Sequence, residues 1–117
     1  YSRTPSLVCG VLTADCMPVF VCDKSGTVVG IAHAGWRGLA SGVIESLIEE
    51  MNVEGSELIV RLGPAISQSA YEIGIEVKTQ FLDRNSIFER SFIEKNGKHY
   101  LDLYDGAKVI LEEIGRA

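Results

Sequence analysis

Two short turns carry most of the reactive side chains in this chain. Thr13-Ala14-Asp15-Cys16 breaks a run of β-forming residues that resumes after Pro18, and His33-Ala34-Gly35-Trp36-Arg37-Gly38 closes a second apolar run. A thiol beside a carboxylate, and an imidazole close to a guanidinium, have two chemical readings. Thiolate and imidazole are both good zinc ligands, and a catalytic zinc takes three protein ligands plus a water whose pKa falls to about 7. Side by side, the same two groups are a nucleophile and its base, as in cysteine hydrolases. Arg37 is suited to hold a phosphate or carboxylate bidentately. Small residues at Ala34, Gly35 and Gly38 allow a backbone or a ligand to come close, and a helix starting at about 38 or 39 would present amides to an anion.

Each residue taken alone has a plainer explanation. Cys16 fits a small buried hydrophobe, His33 a hydrogen-bonded structural residue, Trp36 a packing residue and Arg37 a surface charge. Asp15 fits a turn cap. Cys9 and Cys22 fall inside apolar runs and read as core, and His99 reads as structural. The combination of a thiol, an imidazole and an arginine at strand ends beside glycines is what points to a site. A third turn, residues 63–74, adds Ser67, Gln68 and Ser69 as hydrogen-bonding groups for a ligand, with loop polarity and helix capping by Ser69 as the alternative.

For Cys16 and His33 to meet, their strands must be neighbours. Residues 7–12 and 19–22 read as short strands, apolar and rich in β-branched side chains. Asp23-Lys24-Ser25-Gly26 is a turn signal, and 27–32 is the returning strand of a hairpin. Residues 39–51 form an amphipathic helix with Leu39, Val43, Ile44, Leu47, Ile48 and Met51 on one face. Glu49 and Glu50 oppose its dipole, so its last turn is expected to fray. A strand at 57–62 ends at Gly63-Pro64, a helix follows at 71–82, and a strand at 98–101. Asp102 caps a final helix, with Leu103, Ala107, Ile110, Leu111 and Ile114 inward and Gly115 at its end. The pattern predicts an α/β domain with a mixed β-sheet and flanking helices.

Composition narrows the classes. At 117 residues the chain is long enough for one domain with one core. It is 46% hydrophobic and 23% charged, as a soluble globular domain would be. No apolar run reaches the ~18 residues of a membrane span, and no signal peptide is expected. The net charge is −5, with the basic residues scattered, which argues against a nucleic-acid partner. Three cysteines without CxxC spacing fit a reducing, cytoplasmic setting better than a disulfide framework. The chain starts without an initiator Met, so a fragment or a processed product is expected.

Four motifs in order, TADCMPVF, GIAHAGWRGLASGVIE, GPAISQSAYEIG and HYLDLYDGAK, resemble the YfiH-like laccase-domain, or polyphenol oxidoreductase, family over nearly the whole chain. The resemblance implies an α/β sandwich with mixed sheets, related to bacterial-toxin cysteine deamidases. It implies one zinc held by a cysteine and two histidines, with Cys16 and His33 matching the TADC cysteine and the HAGWRG histidine. It also implies phosphorolysis of adenosine, inosine, guanosine or methylthioadenosine to base and pentose 1-phosphate, with adenosine deamination in some members. Purine nucleoside and phosphate would then be the partners, with Arg37 a natural phosphate contact. The family's remaining ligand histidine lies in a QVHG-type motif upstream of TADC, so this chain corresponds to the C-terminal part of a member, with two of three ligands unless water, a second copy or His99 completes the set. Members often carry cysteines where Ser69 and Ala70 stand here.

Zinc-dependent nucleoside chemistry at Cys16 and His33, with Asp15, Gly35, Trp36, Arg37, Ser67 and Gln68 around the substrate, is the leading expectation. A metal-free Cys-His hydrolase or deamidase is the second. A copper phenol oxidase fits less well, because two histidines are too few for a multicopper cluster. The last is a non-catalytic module that keeps the fold or binds a partner. A sheet edge left open would favour a homodimer.

Overall fold

The computed structural model describes residues 1–115. The first hairpin is as the turn signal predicts. β1 (Met17–Asp23) and β2 (Val29–Ala34) pair antiparallel, and Pro18 stands opposite His33. Asp23 ties the turn between them. Its carboxylate accepts from the amides of Thr27 and Val28 at 2.7 and 3.2 Å, and from the hydroxyls of Ser25 and Thr27. β3 (Leu58–Leu62) pairs antiparallel with the other edge of β1, giving the order β2-β1-β3.

Alternation along these strands sets the two faces of the sheet. Met17, Val19 and Val21 of β1 and Ala32 and Ala34 of β2 point into the core. α2 (Val43–Met51) packs on β2 and buries Ile44, Ile48 and Met51. The opposite parity carries Phe20, Cys22, Val29, Ile31 and His33 outward, and Phe20 is 46% exposed. A second antiparallel sheet, order β4-β6-β5, is built from β4 (Glu72–Ile73), β5 (Phe92–Lys95) and β6 (Lys98–Leu101). Behind it, α3 (Ile75–Arg84) buries Phe81, which meets Phe88 and Phe92 edge-on at 5.0 and 5.6 Å. α4 (Leu103–Ile114) starts where the Asp102 carboxylate accepts the Asp105 amide and ends at Gly115, as its caps predict. The fold is thus α/β with small sheets and flanking helices, and every strand pairing among the described residues is antiparallel.

Several expectations change. Residues 7–12 form no strand: among the described residues they have no pairing partner, and Leu7, Val8 and Leu12 are 57%, 89% and 94% exposed. An apolar run becomes a strand only when another strand satisfies its backbone. Cys9 and Cys22 are half-buried, not core, because Cys9 sits in that unpaired segment and Cys22 has the outward parity of β1. The helix expected at 39–51 is two helices. α1 (Trp36–Ser41) stops at Gly42, whose φ of 99° is a left-handed conformation that ends one helix and starts the next. α2 closes at Asn52, whose amide bonds the carbonyls of Ile48 and Glu49, so its acidic last turn is held despite the dipole. The helix expected from Tyr71 begins only at Ile75, since the chain first makes a 3-10 turn at Gln68–Ala70 and then pairs with β6. β5 lacks a sequence signal of its own and exists because β6 offers it an edge.

Candidate functional site

The hairpin register brings the two reactive turns to the same end of one sheet. His33 is the penultimate residue of β2, and Cys16 directly precedes β1. Both have the parity of the outer face, and neither points into the core. β2 ends at Ala34, Gly35 turns the chain, and α1 starts at Trp36. A cleft of about 440 Å³ opens there, lined by Asp15, Cys16, His33, Trp36, Arg37 and Tyr71, with Gly35 and Gly38 in its floor. Asp15, His33 and Arg37 are exposed, and Cys16 and Trp36 are half-buried.

Two local contacts shape the cleft. A Cβ on Gly35 would stand 2.8 Å from the Cys16 sulfur, so the absence of a side chain there is what gives the thiol its place. The Arg37 guanidinium lies over the Trp36 indole, 4.9 Å from the ring centroid, so the indole props the cation at the mouth. The far end of α1 is fixed by Arg84, which donates to the carbonyls of Leu39 (2.7 Å) and Ala40 (3.3 Å) and pairs with Glu45. α1 has only six residues, and the amide of Leu39 is bonded to the Gly35 carbonyl. The helix starts at Trp36, two to three residues earlier than expected, so the amides of its first turn are those of Trp36, Arg37 and Gly38, beside the Arg37 side chain.

The loop 63–71 forms the remaining wall. The Gly63 amide bonds the Pro18 carbonyl, the Tyr104 hydroxyl bonds the Gly63 carbonyl, and the Ile66 amide bonds the Asp15 carbonyl, each at 2.9 Å. Gln68, expected at the ligand, lies outside the cleft and donates instead to the carbonyls of Ser91 (3.2 Å) and Tyr100 (3.4 Å), clipping the loop to the second sheet. Ser67 is exposed outside the cleft with its hydroxyl 3.4 Å from that of Ser69, and Ser69 caps no helix. The loop delivers Tyr71 to the cleft, with the Tyr71 carbonyl held by the Leu101 amide at 3.1 Å. The Tyr71 side chain lies beside the Trp36 backbone. Burial raises the phenol's pKa above its ordinary value, the Trp36 amide opposes this, Cys16 and Asp15 add to the rise, and Arg37 works against it. Tyr71 is the cleft residue that sequence reasoning missed. A half-buried phenol needs a hydrogen-bond partner, and a loop leaving β3 beside the TADC turn is the signal that could have found it.

Zinc would meet a thiolate and an imidazole here, both of the right chemistry and on one face. Among the described residues no group of three or more His, Cys, Asp or Glu is placed to hold an ion. His99 does not complete the set. It lies in the second sheet opposite Ile73 and Glu94, with its Nδ1 buried and without a hydrogen-bond partner. The donor set also does not build a multicopper centre, since the cleft holds one imidazole. No helix among the described residues is long and apolar enough to cross a membrane.

Known proteins share this architecture. A Pseudomonas aeruginosa protein named purine nucleoside phosphorylase is 42% identical over 117 residues, covering 98% of this chain and 48% of the relative. The purine nucleoside phosphorylase YfiH of Escherichia coli is 41% identical over 115 residues, covering 98% and 47%. A crystal structure of a Neisseria meningitidis protein superposes with a TM-score of 0.86 at 45% identity, over 90% of this chain and 44% of that one. The structure of YlmD from Geobacillus stearothermophilus superposes at 0.73 with 26% identity, over 90% and 41%. The chain spans about half the length of the curated relatives it matches. Residues 1–116 match the family described as multi-copper polyphenol oxidoreductase laccase. With that match, these relatives and the motif-bearing cleft together, the chain belongs to this YfiH-like laccase-domain family.

Proposed function

We propose that this chain carries the catalytic cleft of a zinc-dependent purine nucleoside phosphorylase, acting on adenosine, inosine, guanosine or methylthioadenosine, with adenosine deamination as a second activity. The observation that carries this reading is the meeting of Cys16 and His33 at one end of the sheet, on the face away from the core. The names of the relatives at 41–42% identity support the reaction. Cys16 and His33 would hold zinc, with a third ligand from water or from a residue outside those described. A bound zinc would supply Lewis-acid polarisation and a water ionising near neutrality.

The chain's own groups have separate tasks in this scheme. Arg37, propped on Trp36, holds the phosphate oxygens in a bidentate contact. Asp15, exposed at the rim beside Cys16, accepts a hydrogen bond from the nucleoside or orients a metal ligand. Gly35 keeps the floor clear for the sulfur. The protein is expected in the cytoplasm, where its three unpaired thiols stay reduced.

Elemental analysis of the native chain and of Cys16→Ser tests the reading. About one zinc per chain in the native protein, lost in the variant together with phosphate-dependent cleavage of inosine, is the expected result. Cleavage retained by Cys16→Ser or His33→Ala, with native circular dichroism, would overturn the metal assignment. Activity insensitive to EDTA but lost to iodoacetamide would indicate the metal-free thiol mechanism instead.

A further inference from the structure

The geometry points to Tyr71 as a second phosphate contact: its hydroxyl donates a hydrogen bond to the anion that Arg37 holds, so that the guanidinium and the phenol share the anion in one cleft. The inference deepens the phosphorylase reading and rests on it for the identity of the anion. Tyr71 and Arg37 line the same cleft, one delivered by the loop 63–71 and the other by α1. Tyr71 is half-buried, and its phenol is the one neutral hydroxyl among the described residues that line the cleft. A hydroxyl has one hydrogen to give, and none of the hydrogen bonds among the described residues uses that of Tyr71, so it is free for a ligand in the cleft.

The surroundings select what that ligand is. Asp15 and Cys16 are acceptor or anionic groups in the lining, and among the described residues Arg37 is the single Lys or Arg there. The cleft that holds Arg37 also holds the Asp15 carboxyl, and a neutral donor beside the guanidinium adds a contact to an anion without adding a second charge. Tyr71 is also held in place. The Leu101 amide bonds its carbonyl at 3.1 Å, and Gln68 and Ile66 tie the loop on the way to it at 3.2 and 2.9 Å. A donor fixed by its backbone loses little freedom when it binds.

Trp36 is the chain's sole tryptophan and touches Arg37, so its fluorescence reports an anion at the guanidinium. Inorganic phosphate would be titrated into the native chain, Tyr71→Phe and Tyr100→Phe at constant ionic strength set with chloride. The expected result is saturable binding that weakens at least about tenfold in Tyr71→Phe and is unchanged in Tyr100→Phe, with all three circular dichroism spectra alike. Equal affinity in Tyr71→Phe, or no saturable binding by the native chain, would overturn the proposal. Phosphate-dependent inosine cleavage is measured in parallel. If cleavage occurs while Tyr71→Phe binds phosphate normally, the phosphorylase reading stands and the Tyr71 contact falls. If binding weakens as expected while no purine nucleoside is cleaved, Tyr71 stands as an anion contact and the phosphorylase reading falls.

Discussion

Replacing Gly35 by alanine tests whether the position of the Cys16 sulfur matters, without substituting either proposed ligand. The new Cβ would stand 2.8 Å from that sulfur and 3.7 Å from the Cys16 Cβ. Ordinary heavy-atom contact is about 3.5–4.0 Å, so the sulfur must retreat by roughly 0.7–1.2 Å. The backbone itself does not object, because Gly35 has φ −88° and ψ −171°, which any residue adopts. Cys16 is half-buried and its thiol can rotate away. Overpacking costs about 1–3 kcal/mol and the reduced freedom of the unfolded chain returns about 0.4–1 kcal/mol. The thermal midpoint should therefore fall by no more than about 10 °C. Zinc–sulfur geometry tolerates only about 0.2 Å, several times less than the forced displacement, so zinc affinity should drop at least about tenfold. Competition against a chromophoric zinc chelator measures this, with Gly10→Ala as control because no atom lies within 4 Å of its new methyl. Gly35→Ala binding zinc as tightly as the control would refute both the metal assignment and the role given to the glycine.

Arg84→Met should lower stability by about 1–3 kcal/mol, read as a shifted urea midpoint. It removes the donors from the carbonyls of Leu39 and Ala40 and strands Glu45, whose Oε1 is already buried without a partner. An unchanged midpoint would mean that water replaces the guanidinium at no cost. Asp23 gives a pH signature. Its carboxyl is held down to about 2, first by the Thr27 hydroxyl, against the opposing effect of burial, and further by the Val28 amide, the Ser25 hydroxyl and the Thr27 amide. A carboxyl depressed in the folded state stabilises above its unfolded pKa of about 3.9 and loses that contribution as pH falls toward 2. The difference in thermal midpoint between the native chain and Asp23→Asn should be constant above about pH 5 and shrink steadily below pH 4. A difference independent of pH would show that the turn is held by sterics alone.

The hairpin was legible because its determinants are local. Asp23 to Gly26 marks the turn, and alternation on both sides fixes which residues face the core. That register already implies that Cys16 and His33 meet. Residues 7–12 misled because hydrophobicity signals burial only where a partner exists, and within the described residues nothing pairs with them. The break at Gly42 has a signal, Ser41-Gly42, that the unbroken apolar stripe outweighed. Gln68 is expected at the ligand and Tyr71 only at the start of a helix, and the reason that Tyr71 lines the cleft instead is non-local. Which of the loop's polar groups reaches the cleft depends on where the Ser91 and Tyr100 carbonyls stand, and those lie 23 and 32 residues beyond Gln68 in the chain.

The pairing of Pro18 with His33 makes the site an all-or-none property of a distant turn. Side chains alternate strictly between faces, so a shift of β2 by one residue would send His33 into the packed interior and turn Ala32 and Ala34 out to solvent. A change of one residue in the length of the Asp23–Thr27 turn would therefore not weaken the cleft by degrees. It would either be absorbed locally, leaving the histidine untouched, or move it to the wrong side of the sheet. Insertion libraries in this turn should sort into two populations, metal-competent and metal-blind, with few variants between.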